Sequence, residues 1–495
     1  MMQTKIRVVV AGGGTAGWLT AFSLVKRLGQ SLDITLIESD EIGTVGVGEA
    51  TVPTMHRFHQ FFGIDEREFM RATQATFKLG IVFDNWGAPG ESYAHTFGEI
   101  GQSNWLVEFH QYWLEARANG FGGDLEDYCL ELKAAEAGKF AKKAGETPLT
   151  YAFHLNATAY ARFLRQKSET LGVKRVEGKI ADVVVNQETG DIQSLMIEGK
   201  SRVDGDFFID CTGFKSLLLG DALGVEFEDW GRWLASDSAL AVQTESTEPP
   251  SPYTRAIAHP IGWQWRIPLQ SRTGNGLVYS SRFCSDDEAR DTLLSNLTGR
   301  TITDPHPLKF KTGRRVSAWQ KNCVAIGLSS GFVEPLESTS IHLIDTALVR
   351  LMRLFPFAGS TAPLVEQFNQ ETQIEWESVR DFIILHYKQT QRNDSEFWDF
   401  YRTMEIPDSL AHRIEMFKEN GYVWSDQANL FRAHSWIQVM FGQGLFPKHS
   451  HGASRILPTA SLKAELARVA QSVNSNLAKL PAHQDFVRQY CPAHD

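Results

Sequence analysis

The chain has 495 residues, 42% hydrophobic and 22% charged, an ordinary globular composition with ample material for a core. A formal net charge of −10 and the absence of a dense Lys/Arg run argue against nucleic acid as a partner. No apolar run is long enough to span a bilayer, and the opening MMQTKIRVVVAGGG has no cleavable leader pattern, so a cytoplasmic, non-membrane protein is expected.

The first elements carry the clearest signal. Ile6 to Ala11 is a short apolar run of buried-strand type. Gly12, Gly14 and Gly17 follow as G-x-G-x-x-G, and Trp18 to Leu28 continues at helical spacing. A second strand, Asp33 to Ile37, ends in Glu38, roughly 20 residues past the glycines, as a dinucleotide fingerprint requires. The first glycine makes a tight turn, the second admits a pyrophosphate to the backbone, and the third lets helix and strand pack closely. Glu38 can accept hydrogen bonds from a ribose. Gly12, Gly14, Thr15, Ala16, Gly17 and Glu38 are therefore expected to bind cofactor. The next segment, EIGTVGVGEATVP, alternates Gly with Val, which suggests ordered backbone passing close to something flat. FAD is the candidate, with Val47, Glu49 and Ala50 beside it.

Lys78 lies in the β-rich ATFKLGIVFDNW. Taken alone, these residues favour an exposed edge-strand lysine. Residues from about Trp105 to Tyr151, and again Tyr160 to Val176, read as helical. Strands are expected at Val183–Val185, Phe207–Ile209, Ala239–Val242 and Leu277–Tyr279. DGDFFIDCTGF, with Asp210 and Gly213, is either an ordinary α/β strand or one returning to the dinucleotide. TESTEPPSPYT, Thr244 to Thr254, reads as a surface loop. In GWQWRIPL, Trp263 and Trp265 are expected on one buried face of a strand. Pro335 in GFVEPLESTSIHLIDTAL stops any earlier helix, so a helix is predicted from near Ser338 to Leu348, capped by Glu337 or Ser338. From Ile341 onward the pattern is mainly helical, including Ser395–Met404. The five cysteines are odd in number, scattered and without a CxxC, which predicts a reducing setting without disulfides or structural zinc. His449 and His451 form an H-x-H read as a polar loop, and no metal is expected.

GGGTAGW, GVGEATVP, FKLGI, GWQWRIP and EPLESTSIHLI occur in the order found in flavin-dependent halogenases of the tryptophan halogenase family. The resemblance runs from about Ile6 to SWIQVMFGQG, Ser435 to Gly444, nearly the whole chain. It implies an α/β, FAD-binding two-dinucleotide-binding-domain fold (Rossmann-like, GR2-type) with an interleaved, mainly helical substrate module. The expected division is 1–100 and 156–350 for the FAD module, 101–155 for a helical insertion, and 351–495 for the C-terminal substrate module.

The resemblance also implies chemistry. A separate NAD(P)H-dependent reductase supplies FADH2, oxygen adds to give a flavin C4a-hydroperoxide, and bound chloride or bromide is converted to hypohalous acid. That species reaches a lysine beside an electron-rich aromatic substrate. On this reading Lys78 holds hypohalous acid or becomes a haloamine. Glu337 assists substitution, and Ser338 lies on the path from flavin to substrate. Thr339 and Ser340 match the halide pair, whose backbone N–H groups meet the anion. Tryptophan-specific members commonly have glycine where Ser340 stands. Trp263 and Trp265, with Ile267 and Pro268, wall the flavin chamber and keep organic substrate from being oxygenated. Gly327 and Leu336 join the cofactor contacts. Ile81, His95 and Phe97 line the substrate pocket, although His95 is equally compatible with a core histidine.

The stretch NGYVWSDQANLFRAHSWIQVMFGQG lacks the insertion by which tryptophan-specific members hold the amino-acid ammonium and carboxylate. Indole or an indole derivative is therefore expected as substrate rather than strictly free tryptophan. The alternative function is a flavin-dependent aromatic hydroxylase, which needs neither W-x-W-x-I-P nor the Lys78/Glu337 pair. The sequence leaves a homodimer open.

Overall fold

The computed structural model describes residues 5–42, 48–199, 202–424 and 429–493. Its first layer is a six-stranded sheet in the order Lys174–Glu177, Leu32–Glu38, Ile6–Ala11, Phe207–Asp210, Cys323–Ala325 and Trp319–Gln320. The first five strands are parallel and the last is antiparallel. Val8, Val10, Ile209 and Val324 are fully buried, as expected of parallel strands covered on both faces. The Thr15–Leu28 helix packs on this sheet and against the Ala157–Thr170 helix.

Two helical readings need correction. The helix expected over Tyr160–Val176 ends at Thr170, because Gly172 turns left-handed at φ +99°. Lys174–Glu177 then forms the edge strand beside Leu32–Glu38. The 105–151 region is only partly helical, at Phe109–Ala118, Leu125–Tyr128 and Leu130–Glu136. Positive-φ glycines at 120, 122 and 123 interrupt it, and it finishes in a small hairpin turned at Gly145.

The second layer is a seven-stranded sheet in the order His306–Lys309, Ser238–Glu245, Arg272–Tyr279, Gly262–Pro268, Thr254–His259, Gly80–Asp84 and Ser92–Thr96. It is antiparallel except where Thr254–His259 runs parallel to Gly80–Asp84. The strands reach Glu245 and resume at Thr254, so the expected loop shrinks to the residues between them. The 27-residue Ala362–Lys388 helix buries Phe382 to Tyr387, and Ala433–Gly442 lies beside it. A three-stranded sheet of Gly48–Ala50, Ala152–Asn156 and Thr76–Lys78 connects the layers. Lys78 ends its last strand, two residues before the large sheet begins at Gly80. The Ser340–Arg353 helix shares one core with the dinucleotide sheet through Ile341 and Leu348. Among the described residues, no helix is long and apolar enough to cross a membrane.

Candidate active site

The glycine loop is shaped by close approaches. Gly12 sits at φ +107°, and a Cβ there would lie 2.2 Å from Cys211 O. A Cβ on Gly17 would lie 1.8 Å from Gly12 O, and one on Gly13 would lie 1.7 Å from Glu38 Oε2. Gly14 precedes the helix without a side-chain cap, and no acidic residue occupies the first turn. The N–H groups of Thr15, Ala16 and their neighbours are thus left to an anion. Gly327 presses on this turn from the other side, where its Cβ would lie 2.8 Å from that of Ala16. This bare, positive, narrow cradle fits the pyrophosphate of FAD.

Glu38 ends its strand and accepts from Trp18 Nε1 at 3.1 Å and Arg175 Nε at 2.6 Å. Its carboxylate is therefore oriented beside the glycine loop. Asp210 behaves differently. Thr212 N, Leu218 N and Leu219 N each donate to its carboxylate at 2.9 Å, so this acid is spent on organising its own loop. Glu49 and Ala50 are half-buried on the short connecting strand, and burial pushes the Glu49 carboxyl up to about 7. Val47 lies outside the described residues.

Lys78 is fully buried, against the expectation that its residues alone raise. Its Nζ donates to Ser338 Oγ at 2.8 Å and to Thr51 O at 3.1 Å, and lies 5.3 Å from the centroid of the Phe97 ring. Burial lowers its pKa to about 7, with the charge of Glu337 working the other way. Both the ammonium and the free amine are accessible near neutrality.

Pro335–Glu337 is a single 3-10 turn, and Ser338 follows at φ +59°. The helix starts at Ser340 with Thr339 as its N-cap, two residues after the start expected near Ser338, so Ser338 lies outside it. The reversal directs Ser338 Oγ to Lys78 and Glu337 to two imidazoles. His95 Nδ1 lies 2.8 Å from Glu337 Oε2, and His386 Nε2 lies 2.8 Å from Oε1. Burial would raise the Glu337 carboxyl, but His95 and His386 outweigh it and hold the pKa at about 2. Glu337 is a buried anion.

At the start of the Ser340–Arg353 helix, the Thr339 hydroxyl is buried without a partner, and no acidic side chain occupies the first turn. Ser340 is half-buried beside it. Unfilled backbone N–H groups and an unpartnered hydroxyl suit a halide.

Trp263 and Trp265 do share one face of their strand, with ring centroids 6.3 Å apart in a T-shaped pair. Trp265 lies across Gly276 of the neighbouring strand, where a Cβ would come within 2.0 Å of the indole. Trp263 Nε1 donates to Glu334 Oε2 at 3.4 Å, joining the W-x-W-x-I-P strand to the EPLES turn. Ile267 is buried with them, and Pro268, the last residue of the strand, accepts from Thr76 Oγ1 at 2.7 Å through its carbonyl. This ties the wall to the strand that carries Lys78.

Ile81 and His95 face each other across adjacent strands, and Phe97 N donates to Leu79 O at 2.9 Å, extending the ladder past Lys78. Ile81, His95, Phe97, Lys78 and Glu337 thus converge. Sequence reasoning missed the other wall. Phe431 stacks on Phe382 at 3.8 Å between centroids, and His95 meets both rings. His386 was also missed, because one histidine in the apolar end of a long helix has no local signature. In SWIQVMFGQG, Gln438 Oε1 accepts from Thr96 N at 2.8 Å, and its Nε2 donates to Thr96 O at 3.0 Å, pinning the strand of His95. His451 Nδ1 accepts from Ala453 N at 3.2 Å, a turn-capping contact in a polar segment. The described residues contain no cluster of three or more His, Cys, Asp or Glu able to hold a metal.

Comparison with known proteins agrees with this geometry. The family model for tryptophan halogenase matches residues 7–459. The chain is 34% identical to tryptophan 6-halogenase SttH of Streptomyces toxytricini, covering 97% of each protein. Among solved structures it resembles Xcc4156, a flavin-dependent halogenase from Xanthomonas campestris, at TM-score 0.97 and 50% identity over 99% of both chains. It also resembles BrvH, a flavin-dependent halogenase from Brevundimonas sp. BAL3, at TM-score 0.94 and 43% identity over 99% of this chain and 100% of that one. The chain belongs to the tryptophan halogenase family of flavin-dependent halogenases, enzymes that use FADH2, halide and oxygen.

Proposed function

We propose that this enzyme halogenates indole or a related electron-rich arene at the Lys78/Glu337 site, with reduced FAD delivered by a separate NAD(P)H-dependent reductase. The observation that carries the reading is the buried pairing of a lysine balanced near pH 7 with a carboxylate held as an anion, beside an anion-ready helix start. When bound in the glycine cradle, reduced FAD supplies, with oxygen, the oxidant that turns chloride or bromide into hypohalous acid. Gly12, Gly14, Thr15, Ala16, Gly17, Gly327 and Leu336 would hold it, with Glu38 on the ribose and Glu49 and Ala50 alongside. Thr339 and Ser340 seat the halide, and the strand of Trp263 and Trp265 separates arene from oxidant.

Lys78 donates a hydrogen bond to the oxygen of hypohalous acid. A π pair of the ring takes the halogen, and the oxygen leaves as water with a proton supplied through Lys78. The ring then surrenders its C–H proton to Glu337, and that electron pair restores aromaticity. A carboxylate with a pKa near 2 is adequate, because a halogenated ring cation is a far stronger acid. Return of the proton to Lys78 closes the cycle.

The preference for indole rests on the stretch NGYVWSDQANLFRAHSWIQVMFGQG, which runs on without the insertion expected of tryptophan-specific members for holding the ammonium and carboxylate of the amino acid. Purified protein given a reductase, NADH, FAD, oxygen, bromide or chloride, and a panel of indoles and tryptophan tests the reading by mass spectrometry. Halogenated indole as the main product is expected. Equal or better turnover of tryptophan overturns the substrate assignment, and hydroxylated product would reassign the reaction to a monooxygenase.

A further inference from the structure

Glu337 is the one carboxylate in the site held between two histidines, and the second histidine is itself held. His386 comes from the Ala362–Lys388 helix, which also carries Phe382, and lies far in sequence from Lys78 and His95. Its Nδ1 lies 2.7 Å from Tyr93 Oη, and its Nε2 lies 2.8 Å from Glu337 Oε1, with the carboxylate off the ring's N–H axis. The imidazole stacks on Phe83 at 4.5 Å and meets Phe382 edge-on at 5.2 Å. Gln443 Nε2 donates to the His386 carbonyl at 2.9 Å, and a Cβ on Gly442 would come within 2.6 Å of Tyr93 Cβ and 2.7 Å of its ring. The FGQG segment therefore fixes both partners.

We infer that His386 is a positioning residue for Glu337, holding it as an oriented anion through a tautomer that Tyr93 selects. With the ring neutral, only one proton placement avoids two lone pairs meeting at 2.8 Å. Tyr93 O–H donates to Nδ1, and Nε2–H faces the carboxylate. Burial lowers the His386 pKa, so the neutral ring is favoured, and the chain Tyr93–His386–Glu337 favours the carboxylate through a directed N–H rather than through a second positive charge. The groups facing Glu337 are His95 and Tyr93 from the Ser92–Thr96 strand, His386 from the long helix and Lys78 from its own strand, with His434 from Ala433–Gly442 in turn feeling the charge of His95. Of these, His95 Nδ1 reaches both carboxylate oxygens, at 2.8 and 3.0 Å, and His386 Nε2 approaches the farther of the two at 2.8 Å from the opposite element.

This inference rests on the role proposed for Glu337. Removing the His386 N–H raises the Glu337 pKa, so fewer molecules carry the anion as pH falls. His386→Leu is expected to lose at least about tenfold in kcat for indole bromination at about pH 6, with KM little changed, and to recover toward wild type at about pH 8. Flavin reoxidation, followed in the same samples, should stay at the wild-type rate. His386→Gln keeps an N–H near Nε2 and should restore most of the rate. Tyr93→Phe, which preserves the ring stack, should show a smaller loss with the same pH trend, and these two variants carry the test if His386→Leu does not fold. A loss of equal size at every pH, a parallel loss of flavin reoxidation, or no loss overturns the inference. Glu337→Gln, assayed beside them, separates the levels. Wild-type halogenation by Glu337→Gln defeats the role of Glu337 itself, whereas an impaired Glu337→Gln with His386→Leu unaffected defeats only His386.

Discussion

Glu334 and Glu337 lie three residues apart on one tight turn, both buried, and their surroundings drive them in opposite directions. Glu334 points toward Trp263, has one oxygen without any partner, and is raised by burial to about 7. Glu337 points between His95 and His386 and is held at about 2. Burial alone makes a carboxylic acid; burial with two imidazoles makes a carboxylate. The turn thus presents to the tryptophan wall a carboxyl that keeps its proton up to about pH 7, and to the substrate pocket an anion. No property of either residue by itself assigns these roles.

The contrast can be broken at its strongest point through Lys78, which is electrostatically coupled to Glu337. Lys78→Ala should abolish halogenated product in mass spectrometry while flavin reoxidation continues, and near-wild-type product would remove Lys78 from the mechanism. Glu337→Gln should reduce kcat by about 10²–10³-fold in steady-state bromination, since proton acceptance is lost and the amide keeps nearly the same shape.

Glu334→Gln should leave halogenation within a few-fold of wild type and act instead on stability. A carboxyl raised from 4.5 to about 7 holds its proton in the folded state, so its contribution to stability falls as pH rises from about 4.5 through 7. Glu334→Gln removes that loss and should stabilise the enzyme by about 1–3 kcal/mol at about pH 8, with little gain at about pH 4, in urea unfolding. Glu337 has the opposite sign, because its stabilisation is present above 4.5 and is lost as pH falls toward 2. Identical pH dependence in the two variants would erase the comparison. The smallest effect is expected for Trp263→Phe. Loss of its indole donor to Glu334 should cost about 1 kcal/mol and steepen the decline in stability above neutrality, as melting at two pH values would show.

The dinucleotide fingerprint was legible because its elements are neighbours in the chain. Ile6–Ala11, the glycines, the helix and Leu32–Glu38 form one βαβ start, and the pattern specifies the turn locally. The paired indoles were legible for the same reason, as period-two alternation puts them on one face. The end of the Ala157–Thr170 helix was misread because Val173 to Val176 continues an apolar pattern past Gly172, and the parallel partner that claims it lies about 140 residues away. The burial of Lys78 was invisible in its own strand; resemblance alone pointed to it. His386, Tyr93 and Phe431 were missed because their roles exist only after a helix, a strand and a late loop meet around Glu337.

The backbone at Ser338 has one further consequence. A serine held at φ +59° occupies a conformation that glycine adopts freely, at a cost of about 1 kcal/mol. It persists because its hydroxyl is the acceptor for Lys78. Ser338→Gly relieves that strain but takes from the buried Lys78 Nζ one of its two acceptors, so it should halogenate more slowly with no gain in melting temperature, which thermal unfolding and bromination rates measured together would reveal. The strained backbone and the lysine it serves stand or fall together under selection.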